Sequence, residues 1–172
     1  MKHYSLKKGV FALLSMVTLL LLSSVAEGAG STTGTATATV VSITGVGEGN
    51  SLDFGDIVAG ASAGTVTINA GTGARTGTGG IVLVGSAFRA ATFNVYGFGN
   101  KTAYNVNLSN NNTVTISNGS QTMHVINFTS SGSNILDGNQ QASFKVGATL
   151  EVAANQATGH YTGTYHVVVT FN

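Results

Sequence analysis

Residues 161–171 read YTGTYHVVVTF and form the most informative pattern in the chain. Side chains along a strand alternate between its two faces. One face here would carry the odd-numbered residues, namely Tyr161, Gly163, Tyr165, Val167, Val169 and Phe171. The pattern therefore predicts a long strand over 161–171 with one buried face. We expect other strands of the protein to pair with it, because an apolar strand at an open edge invites aggregation.

Shorter runs with the same period precede this strand, and Gly-rich or Asn-rich breakers separate them. The predicted strands are 36–44, 51–57, 65–70, 81–84, 90–96, 104–108, 113–117, 122–129, 142–152 and 161–171. Residues 45–47 and 71–80 are predicted as a turn and a loop, with Arg75 near the loop tip and free to contact a partner. Short strands with turns about every 8–12 residues predict an all-β sandwich or barrel.

Apolar positions within these runs predict the core of the sandwich. The predicted core residues are Phe54, Ile57, Val66, Ile68, Val82, Phe93, Val95, Val106, Val125, Phe128, Val146, Leu150, Tyr165, Val167, Val169 and Phe171.

The N-terminus has the features of a secretory signal peptide. Three lysines precede an apolar run that ends at Leu22, and Ser24-Val25-Ala26 fits a small-x-small cleavage site. The run is shorter than the roughly 20 residues that span a bilayer. The expected organisation is a signal peptide over 1–26, a flexible Gly/Ser/Thr-rich tail over 27–35 and a β-sandwich domain over 36–172.

Charge and cysteine content exclude several classes of protein. Charged residues make up 8% of the chain, against about 25% in a typical soluble domain. After the expected cleavage, four basic and six acidic residues remain, for a formal net charge of −2. This excludes the basic surface that nucleic-acid binding requires. The chain has no cysteine, so the fold depends on packing and strand pairing without disulfides.

The closing segment resembles the C-terminus of chaperone–usher pilins, including archaic and spore-coat-U-like fimbrial subunits. Phe171 is penultimate, as the aromatic residue is in those subunits, and Gly159 is the fourteenth residue counted back from Asn172, where their motif places a glycine. The resemblance implies a pilin-like fold, an all-β, Ig-like antiparallel β-sandwich that lacks one strand. A periplasmic chaperone first fills the groove, and the N-terminal extension of the next subunit then replaces it.

A second resemblance covers nearly the whole domain. Residues 52–55 (LDFG), 64–68 (GTVTI), 71–80 and 146–150 (VGATL) look like a bacterial secreted family, the domain of unknown function 4402. That family is itself similar to fimbrial subunits. Neither resemblance supplies a catalytic residue.

In β-strand addition, main-chain hydrogen bonds provide pairing and alternate side chains fill pockets. The candidate donor is 35–41 (TATATVV), with Ala36, Ala38 and Val40 on one face. The residues expected to take part in assembly are Ala36, Ala38, Val40, Gly159, Tyr161, Tyr165, Val167, Val169 and Phe171. The other interpretation is that 36–44 forms the first strand of its own domain, which is then complete.

Two patterns look like active sites. Residues 60–64 (GASAG) match the G-x-S-x-G elbow of serine hydrolases, but that elbow needs a following helix, and 65–70 is predicted as a strand. His160 and His166 would lie roughly 20 Å apart on an extended strand, too far to share a metal ion. We therefore expect no catalytic residue, metal or cofactor.

These patterns together favour a non-enzymatic structural or adhesive subunit of a bacterial surface fibre or coat, such as a fimbria or pilus. It would be secreted through the periplasm to the cell surface. Its expected partners are other subunits or a periplasmic chaperone, without nucleic acid and without a membrane span in the mature chain. The alternatives are a self-complete secreted module that binds carbohydrate or another surface, and a secreted serine hydrolase that uses Ser62.

Overall fold

The computed structural model describes residues 45–99, 101–109 and 114–172, which form nine strands and no helix. The strands are β1 (Gly45–Asn50), β2 (Ile57–Ile68), β3 (Arg75–Leu83), β4 (Ala91–Tyr96), β5 (Tyr104–Leu108), β6 (Val114–Ser117), β7 (Thr122–Gly132), β8 (Gln141–Val152) and β9 (Val167–Phe171). The predicted all-β antiparallel sandwich is confirmed. The predicted signal peptide, tail, strand over 36–44 and donor residues Ala36, Ala38 and Val40 lie outside the described residues.

Strand β8 is the centre of the larger sheet, which also contains β1–β4, β6 and β7. Along one edge it pairs with β4 as far as Val146 and with β2 from Thr149 onwards. Along the other edge it pairs with β7, which in turn pairs with β6. Gly147 lies where β8 changes partner, and a Cβ there would stand 2.2 Å from the carbonyl oxygen of Ile68. Only glycine allows the two backbones to approach this closely.

Strands β5 and β9 form a second, two-stranded sheet, in which Tyr104 lies opposite Phe171. It packs on the larger sheet through a set of buried residues that we call the β9 cluster. The cluster contains Ala91, Phe93, Val95, Tyr104, Leu136, Phe144 and Val146. A second set, the β6 cluster, is formed by Val66, Val114, Met123, Val125, Ala148, Leu150 and Val152.

The strand predictions for β4–β8 agree with the structure to within a few residues, and five others need correction. Residues 45–47 belong to β1 instead of a turn, because β1 pairs with β4. Residues 51–56 contribute only an isolated bridge at Asp53, since Gly55 adopts φ +71°. Ile57 begins β2, which was predicted to start at residue 65. Strand β3 begins at Arg75 inside the predicted loop, and β9 begins at Val167 instead of residue 161.

The predicted core is largely confirmed, since its members are buried or are partly buried against one of the two clusters. The prediction was wrong for Val82, which is 60% exposed. Val82 lies opposite Val58 on the outer face of the β2–β3 hairpin. Its neighbours Ile81 and Leu83 pack against the β6 cluster instead. The prediction of a strand was correct there, but Val82 was assigned to the buried face instead of the exposed one.

Candidate functional site: a cleft over the β6 cluster

A cleft of about 670 Å³ lies between two irregular segments, residues 51–57 and residues 159–165. Its floor consists of apolar side chains of β6, β7 and β8. These are Val114, Ile116, Met123, Val125, Phe128 and Leu150. The cleft therefore lies over the β6 cluster, whose buried members are lined on this side by the partly buried Ile116 and Phe128.

The 51–57 wall is fixed by Arg75, which reaches it from the start of β3. One guanidinium nitrogen donates to the carbonyl oxygens of Phe54 at 2.9 Å and Asp56 at 3.2 Å, and the other to those of Val84 and Gly85, both at 2.9 Å. The planar fork of arginine suits such divergent acceptors. The prediction that Arg75 is free for a partner was wrong, because its side chain is turned inward.

Two further contacts complete this arrangement. The Arg75 guanidinium stacks 4.4 Å from the centre of the Phe88 ring. A Cβ on Gly55 would lie 2.5 Å from the same guanidinium. The tight turn and the buried arginine therefore require each other, and together they set the wall of the cleft.

An ion pair lies at the rim of the same wall. Asp53 and Arg89 exchange two main-chain hydrogen bonds of 2.9 and 3.0 Å, and their side chains approach to 3.6 Å. Both side chains are about half exposed, at 40% and 51%. An exposed pair of this kind contributes roughly 0–1 kcal/mol to stability, so the main-chain bridge is the stronger constraint.

The 159–165 wall follows β6 without forming a regular strand. Thr162 and Ser117 exchange main-chain hydrogen bonds of 2.8 and 3.0 Å. At Gly163 a Cβ would stand 2.3 Å from the carbonyl oxygen of Thr115. Gly159 adopts φ +154°, and a Cβ there would lie 2.9 Å from the Asn118 amide nitrogen. Both glycines therefore hold the wall against the β6–β7 hairpin.

Tyr161 and Tyr165 both line the cleft, but their hydroxyl groups differ in bonding. The Tyr161 hydroxyl donates to the carbonyl oxygen of Ala157 at 2.8 Å and accepts from the Gln156 amide at 3.0 Å. The Tyr165 hydroxyl is buried and has no hydrogen-bond partner. Burial is the main cause that raises the pKa of the Tyr165 phenol, and the charge of Glu48 raises it further.

Tyr165 stands between the two hydrophobic clusters and packs on both. Its ring stacks on Phe128 with centroids 5.1 Å apart, and it meets Phe93 edge-on at 6.3 Å. Beyond it the closing segment becomes β9. There Val167, Val169 and Phe171 pack on the β9 cluster. Tyr165 therefore marks the end of the cleft.

The edges of β9 are unequal. One edge pairs with β5 in continuous register over all five residues of β9. None of the other described strands forms a ladder with its second edge. Val168, between two inward-facing valines, is 52% exposed. Along its second edge, the main-chain groups of β9 therefore have no partner strand within the described part of the chain.

The structure brings Gly159, Tyr161 and Tyr165 to the cleft and places Val167, Val169 and Phe171 in the adjoining strand. Sequence reasoning missed the opposite wall and the role of Arg75. One signal could have found them. Arg75 is among only four basic residues beyond the expected cleavage site, and an isolated arginine in an uncharged, Gly-rich stretch is a candidate for binding main-chain carbonyls.

The sequence patterns that resemble active sites lack the structural context that their chemistry requires. Ser62 is exposed and lies within β2, which continues as strand to Ile68 where the hydrolase elbow requires a helix. Within the described ranges, no three His, Cys, Asp or Glu side chains are grouped closely enough to hold a metal ion. The same ranges include no helix long and apolar enough to cross a membrane.

Comparison with known proteins gives one finding. The family model described as "Domain of unknown function (DUF4402)" matches residues 41–171. No curated protein and no solved structure matches the chain. The matched range begins four residues before β1 and ends with β9, so it takes in both walls of the cleft.

Proposed function

Because the chain belongs to the DUF4402 family, whose description states no activity, we propose a function from the cleft itself. The protein is a structural subunit of a bacterial surface fibre or coat, with an adhesive role at that surface, and it assembles by β-strand addition. The observation that carries the proposal is the apolar cleft between 51–57 and 159–165, beside β9, whose second edge pairs with no other described strand. An extended segment bound there would cover the β6 cluster and pair with the sheet edge.

Residues 35–41 have the chemistry that such a segment requires. They carry no charge, and Ala36, Ala38 and Val40 alternate with Thr35, Thr37 and Thr39. An uncharged strand can enter the apolar cleft without the cost of burying an unpaired charge. The small inward residues suit a floor that is already filled by Met123, Phe128 and Leu150.

The sequence between this segment and β1 favours donation to another copy. Residues 41–44, which directly precede β1, read VSIT. Tight two-residue hairpins need residues that tolerate positive φ, above all glycine and asparagine. β-Branched residues rarely adopt such angles. Residues 41–44 therefore do not favour a tight turn, and 35–41 is the better candidate as a donor to another copy.

The C-terminal features support the assembly pathway expected from the pilin resemblance. Phe171 packs against Tyr104 and Phe98, with ring centroids 6.3 and 6.2 Å apart. It anchors β9 while the adjoining cleft stays free for a chaperone strand and then for a subunit strand. Such a protein has no need of catalytic groups, and export to the cell surface would place it where fibres form.

The proposal is tested with the full exported chain and two matched charge substitutions in the donor. Ala38→Asp puts a carboxylate on the face that enters the cleft, whereas Thr37→Asp puts one on the opposite face. We expect the wild type and Thr37→Asp to form concentration-dependent polymers in size-exclusion chromatography with light scattering, and Ala38→Asp to remain monomeric.

A wild-type chain that stays monomeric at high concentration and melts in one cooperative transition would contradict fibre assembly. That result would support the self-complete binding module instead. Equal polymerisation of both variants would show that 35–41 does not enter the cleft in the proposed orientation.

A further inference from the structure

Two buried side-chain polar atoms in the described residues lack a hydrogen-bond partner, and both lie beside the cleft. They are Arg75 Nε and the Tyr165 hydroxyl. The other two nitrogens of the Arg75 guanidinium are saturated by four carbonyl contacts. Tyr165 has no second polar atom in its side chain, so its only polar group is unsatisfied. Buried polar groups are nearly always paired in folded proteins, and an unpaired one at a binding cleft indicates a missing acceptor or donor.

The Tyr165 ring cannot relieve this by turning to solvent. Phe128 stacks on one face at 5.1 Å, and Phe93 meets the ring edge-on at 6.3 Å. The ring is therefore held in place by aromatic neighbours on two sides. Glu48, which lies opposite Phe93 in the β1–β4 pair, is near enough for its charge to act on the phenol.

We infer that the strand inserted into the cleft supplies an oxygen acceptor to the Tyr165 hydroxyl, and that this hydrogen bond fixes the register of the inserted strand. The inference rests on the proposed function and specifies the partner's chemistry at one position. The acceptor is neutral, a main-chain carbonyl or a hydroxyl group, because a carboxylate would be repelled by Glu48. Residues 35–41 of a second copy meet this condition, with three threonines and no acid.

The inserted strand needs a contact that fixes its register, because the sequence of the proposed donor is repetitive. The segment TATAT presents nearly the same side chains after a shift of two residues, and apolar contacts alone discriminate poorly between such positions. A single polar contact can discriminate, because a mismatched register leaves the hydroxyl buried and unpaired. Tyr165 lies at the end of the cleft, and its hydroxyl would be paired only when the inserted strand is in the matching register.

The test uses the full exported chain with Ala38→Asp, so that its own segment does not compete, and a fluorescein-labelled peptide of residues 33–44. We expect Tyr165→Phe to weaken peptide binding by about three- to tenfold, which is the range for loss of one net hydrogen bond. We also expect it to leave the melting temperature of the peptide-free protein unchanged or raised, because the unpaired hydroxyl is removed. Fluorescence anisotropy and thermal melts give the two measurements.

Tyr104→Phe is the matched control, since Tyr104 belongs to the β9 cluster, outside the cleft lining, and its hydroxyl donates to the carbonyl oxygen of Ser133. It should lower the melting temperature and leave peptide affinity within about twofold, because its hydrogen bond is internal to the domain. Equal peptide affinity of Tyr165→Phe and the parent chain, or an equal loss in both tyrosine variants, overturns the register contact and leaves strand addition standing. Failure of the parent chain to bind the peptide overturns both proposals.

Discussion

The two halves of the closing segment share one alternating pattern and end in different structures. Residues 167–171 form β9, pair with β5 along their whole length and cover the β9 cluster. Residues 159–165 make one bridge to Ser117 and leave a cleft over the β6 cluster. Alternation decides which side chains face inward, whereas a regular strand also needs a partner for its main-chain groups. The first half has inward tyrosines and an incomplete ladder, and that combination leaves a cleft beside it.

The largest expected effect tests whether the β9 cluster is more completely covered than the floor of the cleft. Leu136 is 1% exposed within that cluster, and Leu136→Ala should lower the free energy of unfolding by about 3 kcal/mol. Ile116 is partly buried on the cleft floor, and Ile116→Ala should cost only about 1 kcal/mol, because part of its surface is already uncovered. Denaturant unfolding of both variants gives the comparison. Equal costs would mean that the cleft floor is covered in the isolated chain.

A smaller effect is expected from Gly163→Ala in the cleft wall. Its Cβ would meet the Thr115 carbonyl oxygen at 2.3 Å, so the wall has to move away from β6 at a cost of about 1–3 kcal/mol. Gly138 is the control, because a Cβ there would meet nothing within 4 Å and its φ is not positive. A thermal melt of Gly163→Ala that matches Gly138→Ala would contradict the close approach described for this wall.

The smallest effect concerns the opposite wall. Arg75→Lys keeps the charge and loses the fork that binds four carbonyl oxygens, and we expect about 1–2 kcal/mol of destabilisation. Arg89→Lys alters the exposed pair with Asp53 and should cost under about 1 kcal/mol. Hydrogen exchange should show faster exchange of the Gly55 amide, which donates to Asp53 at 2.9 Å, in the first variant only. Slow exchange of the Gly55 amide in Arg75→Lys would show that contacts other than those of Arg75 hold the 51–57 wall in place.

The sequence was sufficient for the fold class and for most strands because these depend on local patterns. Strands β5 and β8 carry apolar alternation between clear breakers, and they form within one residue of the predicted bounds. Val82 shows the limit of this reasoning. A run such as IVLV fits either face equally well, and only the pairing of Val58 with Val82 places that residue outside.

The candidate site was predictable on one side only. Gly159, Tyr161 and Tyr165 follow from the closing pattern, which extends the period of β9 beyond the strand itself. The wall at 51–57 was predicted as a strand because its apolar residues alternate. It is bent away from that conformation by Gly55 and by a guanidinium from 20 residues downstream. Such a long-range contact has no local signature, so its effect on the wall could not be anticipated.

The β2–β3 hairpin has a consequence for the shape of any assembly. Its register is interrupted between Ala59 and Gly64, and Gly79 opposite this break has φ +65°. An interruption of this kind twists an outer strand and makes it a poor template for a neighbouring molecule. Growth by sheet-to-sheet stacking along β3 is thereby discouraged, although Val58 and Val82 are exposed on that surface. Fibres of the kind proposed above should therefore be thin and unbranched, and any bundling should depend on valine contacts that salt does not screen.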